Sequence, residues 1–574
     1  MKALFAFLLM CSSHVLYAYD FEVNGIYYIK NLGKEVEVTY EVNNYTPTES
    51  YKGDIVIPNE VVYEGTTYRV VGIDHWAFYD CNDLTSVILP EGVKTIGANA
   101  FNRCYSLSSI NFPNGLVNIG ESAFYLCGQL TSISLPESLN TIENYAFSSC
   151  TGLTSIVIPQ SITSISEEVF SYCSNLASAT IPESVTAIGR GAFWGCGLTS
   201  LNIPKSVVSI GDEAFGGCYN LTSVVVPGNV KKVGAFAFSS CSDLTSVTFL
   251  EGVESLGNHV FMNDYALTSV NLPKSLTSMG EGVFFECHGL KSIVIPESMT
   301  YLPDQTFRGC GDLSSVVIPE SVTSIGGAGF AGCSALRTIT IPASVTSIGG
   351  SAFQDCIGLR TIVLPNGMEN IWDNTFANCT SLTSVTFPTS LRSMEYQAFA
   401  GCTHLTSIAF PDSLIKIGDN AFAACSRLTS ITIPEGVKEL GHQAFINCTG
   451  LSSVTIPASV ASIGTSVFWN CIGLTSVISQ REEPFAISDD VFGDWDVDIY
   501  SLATLYCPTP KEYEITYGWK NFTNIKALAD IPAAIGSIED AAKGNAVIYD
   551  LNGRRVEKAT KGMYIMNGKK VYVK

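Results

Sequence analysis

A repeat of 23 residues constrains the fold of this chain more than any other feature of its sequence. One repeat reads LTSVILP from Leu84 to Pro90 and continues with Val93, Ile96, Gly97, Ala100, Phe101 and Cys104. The frame recurs with a single deleted residue, between Cys196 and Leu198, and its phenylalanine column contains Phe78, Phe101, Phe124, Phe147, Phe170, Phe193, Phe215, Phe238, Phe261, Phe284, Phe307, Phe330, Phe353, Phe376, Phe399, Phe422, Phe445 and Phe468. A unit this short cannot bury its own apolar side chains, so it must stack on its neighbours. The chain is therefore predicted to be a solenoid.

The pattern within one repeat predicts its local structure. The segment from Leu84 to Leu89 alternates apolar and polar residues with β-branched types favoured, which indicates a short strand. Pro90 ends that strand because it has no N–H to donate to a ladder. Gly97 is then expected to turn the chain with a positive φ. The spacing of Ala100, Phe101 and Cys104 is that of one helical turn and directs the aromatic ring inward.

The repeat Leu-Thr-Ser-Val-x-Ile-Pro-x-Ser-Val-Thr-Ser-Ile-Gly-x-x-Ala-Phe-x-x-Cys resembles the BspA-type leucine-rich repeat of bacterial and protist surface proteins, over about residues 78–474. The resemblance implies a leucine-rich-repeat solenoid of α/β repeats. It also implies a curved parallel β-sheet on the concave face. The segments outside the repeats add β-rich N- and C-terminal caps and a small C-terminal β module to the predicted fold. A few repeats depart from the pattern, which we interpret as irregular coils and not as sites: Leu250 replaces the proline, Asp264 the cysteine, and Pro303, Trp372 and Glu395 the turn glycine.

The ends of the chain differ from the repeats. Residues 1–18 are predicted to be a signal peptide, with Lys2 before an apolar run too short to span a bilayer. Lipid attachment at Cys11 is the alternative. We predict an N-terminal cap with a split first coil in 19–77, about 18 coils in 78–480 and a C-terminal cap in 481–526. The N-terminal cap contains a strand-like segment at residues 35–42 and a nine-residue insertion between Pro58 and Phe78.

Residues 527–574 are predicted to be a linker followed by a small β-hairpin tail. Alternating apolar residues surround two Asn-Gly pairs, at Asn552 and Asn567, as in tight hairpins. The tail resembles the C-terminal sorting tails of secreted Bacteroidota proteins. That resemblance implies a sorting or anchoring domain, whose partner is the outer-membrane secretion machinery.

Composition excludes some partners. The net charge is −21, although only 15% of the residues are charged. A nucleic-acid interface needs a Lys/Arg surface, and an anionic membrane surface attracts basic segments, so neither is expected. No later stretch is long and apolar enough for a membrane helix.

The cysteines invite a metal or disulfide interpretation that their spacing does not favour. Of the 19 cysteines, one lies in the predicted signal peptide, one is Cys507 and the other 17 follow the repeat. No close pair of the C-x-x-C kind occurs, so no metal site is predicted. On the outer face of a bent solenoid, stacked cysteines should lie beyond disulfide distance. We predict buried, reduced thiols that react little with thiol reagents until the protein is denatured.

Other motifs do not support catalysis or a cofactor. Gly327 to Gly332 matches G-x-G-x-x-G, but the glycines follow the repeat frame and no long helix is expected after them. Asp494 to Asp498 imitates the start of a calcium loop, yet Ile499 and Leu505 occupy the positions that need glycine and glutamate. No histidine sits at metal spacing or beside a nucleophile: His14, His75, His259, His288, His404 and His442. We therefore predict that the protein is not an enzyme.

The predicted concave sheet offers the candidate binding face. The second, third and fifth residues of each Leu-x-x-Val-x-Ile strand are expected to point outward. The third is nearly always Ser or Thr, whereas the fifth varies, so the face is broad and nearly uncharged. The residues predicted to bind are Ser86, Asn111, Ser134, Thr180, Asn202, Thr248, Asn271, Thr340, Thr386, Thr432 and Thr455. A structural interpretation competes with this one, because Ser and Thr also suit exposed strands.

Several functions are compatible with these features. The first hypothesis is a secreted or cell-surface adhesin that contacts host matrix, host cells or other bacteria, partners that only the family resemblance implies. The second is a structural coat or spacer without a specific ligand. A glycan-binding protein is a third, although the tryptophans are dispersed and carbohydrate sites usually present aromatic platforms. Ice binding through hydroxyl rows is a fourth, which the interleaved Val and Asn residues disfavour.

Overall fold

A computed structural model describes residues 19–43, 46–47, 50–494, 496–531, 548–550, 555–556, 562–566 and 569–573. The predicted signal peptide, with Cys11 and His14, and residues 532–547 of the predicted linker lie outside the described residues. The chain forms two compact units, which divide between Pro319 and Glu320. Each unit is a stack of parallel-stranded coils, so the predicted solenoid class is confirmed. The predicted domain boundaries remain predictions.

Most coils contain a strand in the Leu-x-x-Val-x-Ile segment, and we call these strands the first strand row. Up to Pro319 they are Gly53–Val56, Leu84–Ile88, Ser109–Ile110, Ser155–Val157, Ser178–Thr180, Ser223–Val226, Ser246–Phe249, Ser269–Asn271, Ser292–Val294 and Ser315–Val317. Beyond it they are Thr361–Val363, Ser384–Thr386, Ser430–Thr432, Ser453–Ile456, Ser476–Ser479, Thr504–Cys507 and Asn524–Ala527. Within each sheet, neighbouring strands of the row pair in parallel, mostly one repeat apart, as Ser223 with Ser246.

A second strand row runs through the Val-x-x-Ile-Gly segments. Up to Pro319 its strands are Thr66–Ile73, Thr95–Ile96, Asn118–Ile119, Thr141–Ile142, Ser164–Ile165, Ala187–Ile188, Ser209–Ile210, Lys232–Val233, Ser255–Leu256, Ser278–Met279 and Tyr301–Leu302. Beyond it they are Ser324–Ile325, Ser347–Ile348, Asn370–Ile371, Ser393–Met394, Lys416–Ile417, Glu439–Leu440 and Ser462–Ile463. The last residue of nearly every strand is buried.

The turn between the rows differs from its prediction. Gly97 does not adopt a positive φ; a Cβ there would lie 2.6 Å from the backbone nitrogen of His75, so the glycine is needed for close approach of adjacent coils. Positive φ values occur instead at Asn99 (58°) and Arg103 (63°), on either side of Phe101. The predicted helical turn is a pair of tight turns, with the amide of Cys104 bonded to the Phe101 carbonyl. The two left-handed residues direct their N–H groups to the next coil, which an α-helix would not do.

Two buried columns hold the coils together. The phenylalanine rings stack along each unit, for example Phe101 on Phe124 with centroids 5.0 Å apart and planes 5° apart. The cysteine thiols form a second ladder, in which most of them donate to the phenylalanine carbonyl of the preceding coil. Cys402 reaches the carbonyl oxygen of Phe376 at 3.2 Å. The eighteen described cysteines are all buried, and none of them forms a disulfide. The thiols are therefore hydrogen-bond donors as well as the predicted core filling.

The N-terminal end of the first unit is closed by a β-rich cap. Its strands are Phe21–Val23, Ile26–Lys30, Glu35–Thr39, Val42–Asn43, Thr46–Pro47 and Glu60–Tyr63. The nine-residue insertion forms an antiparallel hairpin of Glu60–Tyr63 with the start of Thr66–Ile73. Tyr51 covers the end of the phenylalanine stack, with its ring 4.4 Å from that of Phe78 and its hydroxyl donating to the Thr39 carbonyl at 2.6 Å.

The second unit ends in a cap and a small tail. The cap contains the helices Ile499–Leu502 and Pro510–Tyr513 and the 3-10 helices Trp519–Asn521 and Leu528–Asp530. The tail strands Ile548–Asp550, Arg555–Val556, Gly562–Met566 and Lys569–Val573 pair in antiparallel fashion, as expected for hairpins. Neither cap helix, nor any other helix in the described part of the chain, is long and apolar enough to cross a membrane.

Candidate binding face

The first strand row presents alternate side chains to solvent. In Leu84–Ile88 the burial pattern places Leu84 and Val87 in the core and leaves Thr85 and Ile88 exposed. The row is interrupted in both units. Within the described residues no first-row strand forms at 130–136, 198–204, 336–342 or 405–411. In the first unit, Ser269–Asn271 and Ser292–Val294 belong to different sheets although their coils are adjacent.

The eleven predicted residues all lie in the first strand row or its interruptions. Eight are exposed: Asn111, Ser134, Thr180, Asn202, Asn271, Thr340, Thr386 and Thr432. Ser86, Thr248 and Thr455 are half-buried. Strand register places Thr248 beside Asn271 in the first unit and Thr432 beside Thr455 in the second. The seven from Ser86 to Asn271 lie in the first unit and the remaining four in the second, so the structure describes them as two sets.

Two of the predicted residues are committed to hydrogen bonds within the protein. The hydroxyls of Ser86 and Thr85 donate to Asp54 Oδ1 at 2.6 and 2.8 Å, and these bonds lower the pKa of Asp54. The amide of Asn111 donates to the Leu89 carbonyl at 2.9 Å and accepts the Leu89 N–H at 2.7 Å. Both contacts join adjacent coils. They support a structural role for these two side chains.

Exposed valines in the fifth position were not among the predicted binding residues. Val157 and Val294 in the first unit are each 64% exposed, and Val363 in the second is 63% exposed. Val294 is paired in register with Val317, which is also exposed. These valines can be recognised in the sequence as fifth-position residues. They were missed because only polar residues were selected as candidates. The row therefore alternates apolar patches with hydroxyl and amide groups.

One depression of this face lies where two neighbouring sheets of the first unit separate. It has a volume of about 710 Å³, between the strands Ser269–Asn271 and Ser292–Val294. Val270, Ile293 and Val294 supply apolar walls, and Asn271 supplies an amide. Its only charged lining residues are Lys274 and Glu297, which occupy the same position in successive repeats. Volumes of this size suit small ligands or short segments of a larger one.

A smaller depression lies in the second unit, beside another interruption of the row. Its volume is about 260 Å³, and its lining includes Thr386, Ala409 and Asp412. The rings of Phe387 and Phe410, which replace the usual aliphatic residue before the proline, stack there with centroids 6.3 Å apart. This depression contains one of the predicted residues, Thr386, whereas the first contains Asn271.

The motifs that resemble catalytic or ligand sites have structural roles. Gly327 to Gly332 forms the same turns as every other coil, with positive φ at Ala328 and Gly332 and no helix after them. Asp498 caps the helix Ile499–Leu502, accepting the N–H of Ser501 at 3.3 Å. Trp495, within the same loop, lies outside the described residues.

The histidines join coils. The Nδ1 atom of His75 accepts the N–H of Ala98 at 2.9 Å, and Nδ1 of His442 accepts the N–H of Thr465 at 3.0 Å. The rings of Tyr265 and His288 stack with centroids 5.3 Å apart. No group of three or more His, Cys, Asp or Glu side chains is arranged to hold a metal ion in the part of the chain that the structure describes.

Comparison with known proteins gives a consistent family. The chain matches the model described as the BspA type leucine rich repeat region, over residues 71–199, 186–313, 300–426 and 371–495. It is similar to a leucine-rich repeat protein from Bacteroides ovatus, at 27% identity and a TM-score of 0.42, covering 77% of this chain and 95% of that one. It is also similar to a leucine rich cell surface protein from Faecalibacterium prausnitzii, at 27% identity and a TM-score of 0.41, covering 64% and 94%. The search of curated proteins found no match. The matched family is a repeat family and not a catalytic one.

Proposed function

Because this chain belongs to the BspA-type leucine-rich repeat family, we propose that it is a secreted or cell-surface protein that binds extracellular proteins through its first strand row. The observation that carries this proposal is the composition of the exposed row. Valines such as Val157 and Val363 stand between hydroxyl and amide side chains, with little charge. Such a surface can bury apolar area and form hydrogen bonds along an extended partner.

The depression at residues 269–298 is the proposed anchor point in the first unit. An apolar side chain of the partner would contact Val294 and Val270, while Asn271 offers both a donor and an acceptor to its backbone. Lys274 and Glu297 favour a segment that carries charges of both signs. The partner class is therefore an extended segment of another protein. We assign the role of adhesin to this contact, with host matrix, host cells or other bacteria as the partners to test.

A structural coat or spacer is the second candidate, and one observation favours it. Many hydroxyl groups beside the row donate to backbone carbonyls of the preceding coil and are already engaged. The hydroxyl of Thr245 reaches the Thr222 carbonyl at 3.0 Å, and that of Ser452 reaches the Thr429 carbonyl at 2.9 Å. These positions support stacking of the coils whether or not a ligand exists.

Export is part of the proposal. The predicted signal peptide in residues 1–18 would direct the chain out of the cytoplasm, and the hairpin tail would be its sorting or anchoring signal. Expression of the chain with and without residues 527–574 in a secreting host tests the tail. Loss of surface display without loss of folding supports sorting, and unchanged display contradicts it.

A binding array tests the proposed function. Residues 19–574 are purified and titrated against matrix proteins, mucins and glycans, beside an unrelated protein of similar acidity. We expect saturable binding to a protein class. Val294→Lys should abolish contact at the depression and Thr386→Lys with Thr432→Lys should weaken contact in the second unit. Ile357→Lys, an exposed position outside the row, adds the same charge as a control.

Each outcome of the array has a defined meaning. Saturable binding that is unaffected by the row variants but reduced by Ile357→Lys would move the site off the first strand row. Saturable binding to glycans alone would replace the protein partner with a carbohydrate. Binding that never saturates, or that the acidic control protein reproduces, would support the structural coat.

A further inference from the structure

The coil that ends at residue 264 differs from its neighbours at the column of buried cysteines. In the preceding coil the thiol of Cys241 donates to the carbonyl oxygen of Phe215 at 3.3 Å, and in the following coil Cys287 donates to Phe261 at 3.0 Å. Asp264 occupies the equivalent position between them and is fully buried. A carboxyl group therefore replaces a thiol donor within the ladder.

This replacement leaves two buried acceptors without a donor. Oδ1 of Asp264 accepts the N–H of Cys241 at 2.7 Å, but Oδ2 has no partner. By the same spacing as in the neighbouring coils, the carbonyl oxygen of Phe238 is the expected partner of the side chain of residue 264. That oxygen receives no hydrogen bond among those formed by the described residues. A proton on Oδ2 converts two competing acceptors into an O–H···O=C bond and restores the ladder.

We propose that Asp264 is protonated in the folded protein, donates from Oδ2 to the carbonyl oxygen of Phe238, and acts as a pH-sensitive switch that opens this coil when it ionises. The surroundings favour the neutral form. Burial raises the pKa of Asp264 well above its ordinary value of 3.8. The titratable groups that interact with its carboxyl group are the thiols of Cys241 and Cys287, whose own pKa values burial raises. Neither supplies a positive charge to stabilise a carboxylate.

The direction of the pH dependence follows from this raised pKa. Below pH 3.8 the carboxyl is protonated in both the closed and the open coil, so the stabilisation is fully present. As the pH rises from there to the folded pKa, only the closed coil keeps the proton, and opening becomes about tenfold more favourable per pH unit. Above the folded pKa the stabilisation is lost. Opening would expose the cysteines on either side of Asp264.

Thiol labelling of the full chain at several pH values tests the switch. The native protein and Asp264→Asn are treated with iodoacetamide from pH 5 to pH 9, and mass spectrometry follows each cysteine. The asparagine amide can donate to Phe238 without titrating. We expect the ratio of labelling rates, native over Asp264→Asn, to rise with pH at Cys241 and Cys287, by up to about tenfold per unit. The ratio cancels the ordinary pH dependence of thiol reactivity.

Controls separate the switch from a general loss of stability. The ratio at Cys425, in the other unit, should stay near unity, and the exposed Asp243→Asn variant should label as the native protein does. Asp264→Cys restores the regular column and should behave as Asp264→Asn does, which keeps the test available if one variant fails to fold. A native-to-variant ratio at Cys241 and Cys287 that does not change with pH would overturn the proposal.

Discussion

The buried columns and the exposed strand row belong to the same coils but vary in opposite ways. In the buried columns nearly every side chain packs against a copy of itself in the next coil, as Phe353 does on Phe376 with centroids 5.4 Å apart. In the fifth position of the first strand row, by contrast, the residue changes from coil to coil, with Asn111, Ser134 and Val157 in succession. Residue identity is therefore repeated where side chains pack against the next coil, and it varies where side chains are exposed to solvent.

This difference shows where specificity can reside. A buried position in a stack is constrained from both sides, so a change of shape disturbs two neighbours at once. An exposed fifth-position residue contacts only its flanks in the sheet, and a substitution there affects little beyond the surface it forms. Under the proposed function, we therefore expect discrimination between partners to come from the row and its interruptions. The columns provide stability that is nearly the same in every coil.

The strongest challenge to the comparison is removal of one ring from a stack. Phe376→Ala leaves a cavity between Phe353 and Phe399 in the second unit, where the ring is fully buried. We expect a loss of about 3–5 kcal/mol in the free energy of unfolding. Urea unfolding followed by circular dichroism measures it. Val363→Thr, in the exposed row of the same unit, should change the value by less than about 0.5 kcal/mol. Equal effects of the two variants would contradict the distinction between column and row.

The thiol ladder allows a sharper test, because it separates volume from hydrogen bonding. Cys402→Ala removes the buried sulfur and its bond to the Phe376 carbonyl, and we expect a cost of about 1–2 kcal/mol. Cys402→Ser also loses volume but keeps a donor at the same place. Its unfolding free energy should lie between those of the native protein and the alanine variant. A serine variant less stable than the alanine variant would show that Cys402 stabilises the fold by filling the core and not by its hydrogen bond.

The sequence alone could predict the solenoid and its core. Every buried position repeats, so Phe101 and Cys104 can be assigned to the interior without any long-range information. The backbone of the turn could not be predicted, because the role of Gly97 depends on the distance to the coil before it. Positive φ at Asn99 and Arg103 is likewise imposed by hydrogen bonds to the next coil and not by the local sequence.

The candidate site was predictable only in part. The row itself follows from strand alternation, which is why the predicted residues all fall on it. The depression beside Asn271 depends on two adjacent strands that separate into different sheets, and both strands have ordinary repeat sequences. The bond from Ser86 to Asp54 joins the regular repeats to the irregular first coil, whose register the repeat does not specify. These features arise from how neighbouring coils fit.

A smaller effect is expected where a side chain at the edge of a coil bonds to its neighbour. Ser344 in the Pro-x-Ser-Val segment is half-buried and donates to the Val322 carbonyl at 2.7 Å. Ser344→Ala should cost about 1 kcal/mol in the free energy of unfolding. Thr340→Ala, four residues earlier and exposed in an interruption of the first strand row, should have almost no effect in the same urea titration. If both cost the same, the hydroxyl bond between coils contributes nothing measurable.

The smallest effect concerns Asp54, in the first strand of the first strand row, Gly53–Val56. Because Ser86 and Thr85 donate to its carboxylate, the pKa of Asp54 is lowered. The bonds to the carboxylate therefore contribute their full stabilisation above pH 3.8. That contribution is lost as the pH falls through the lowered pKa of the folded protein. Carbon-13 NMR titration should show the Asp54 pKa moving back toward its ordinary value in Ser86→Ala, with no movement in Ser132→Ala at the same position two coils later. An unchanged Asp54 pKa in Ser86→Ala would mean that Ser86 does not hold this hydrogen bond and that its hydroxyl is available to a ligand. A shifted pKa would assign it, like the buried columns, to holding adjacent coils together.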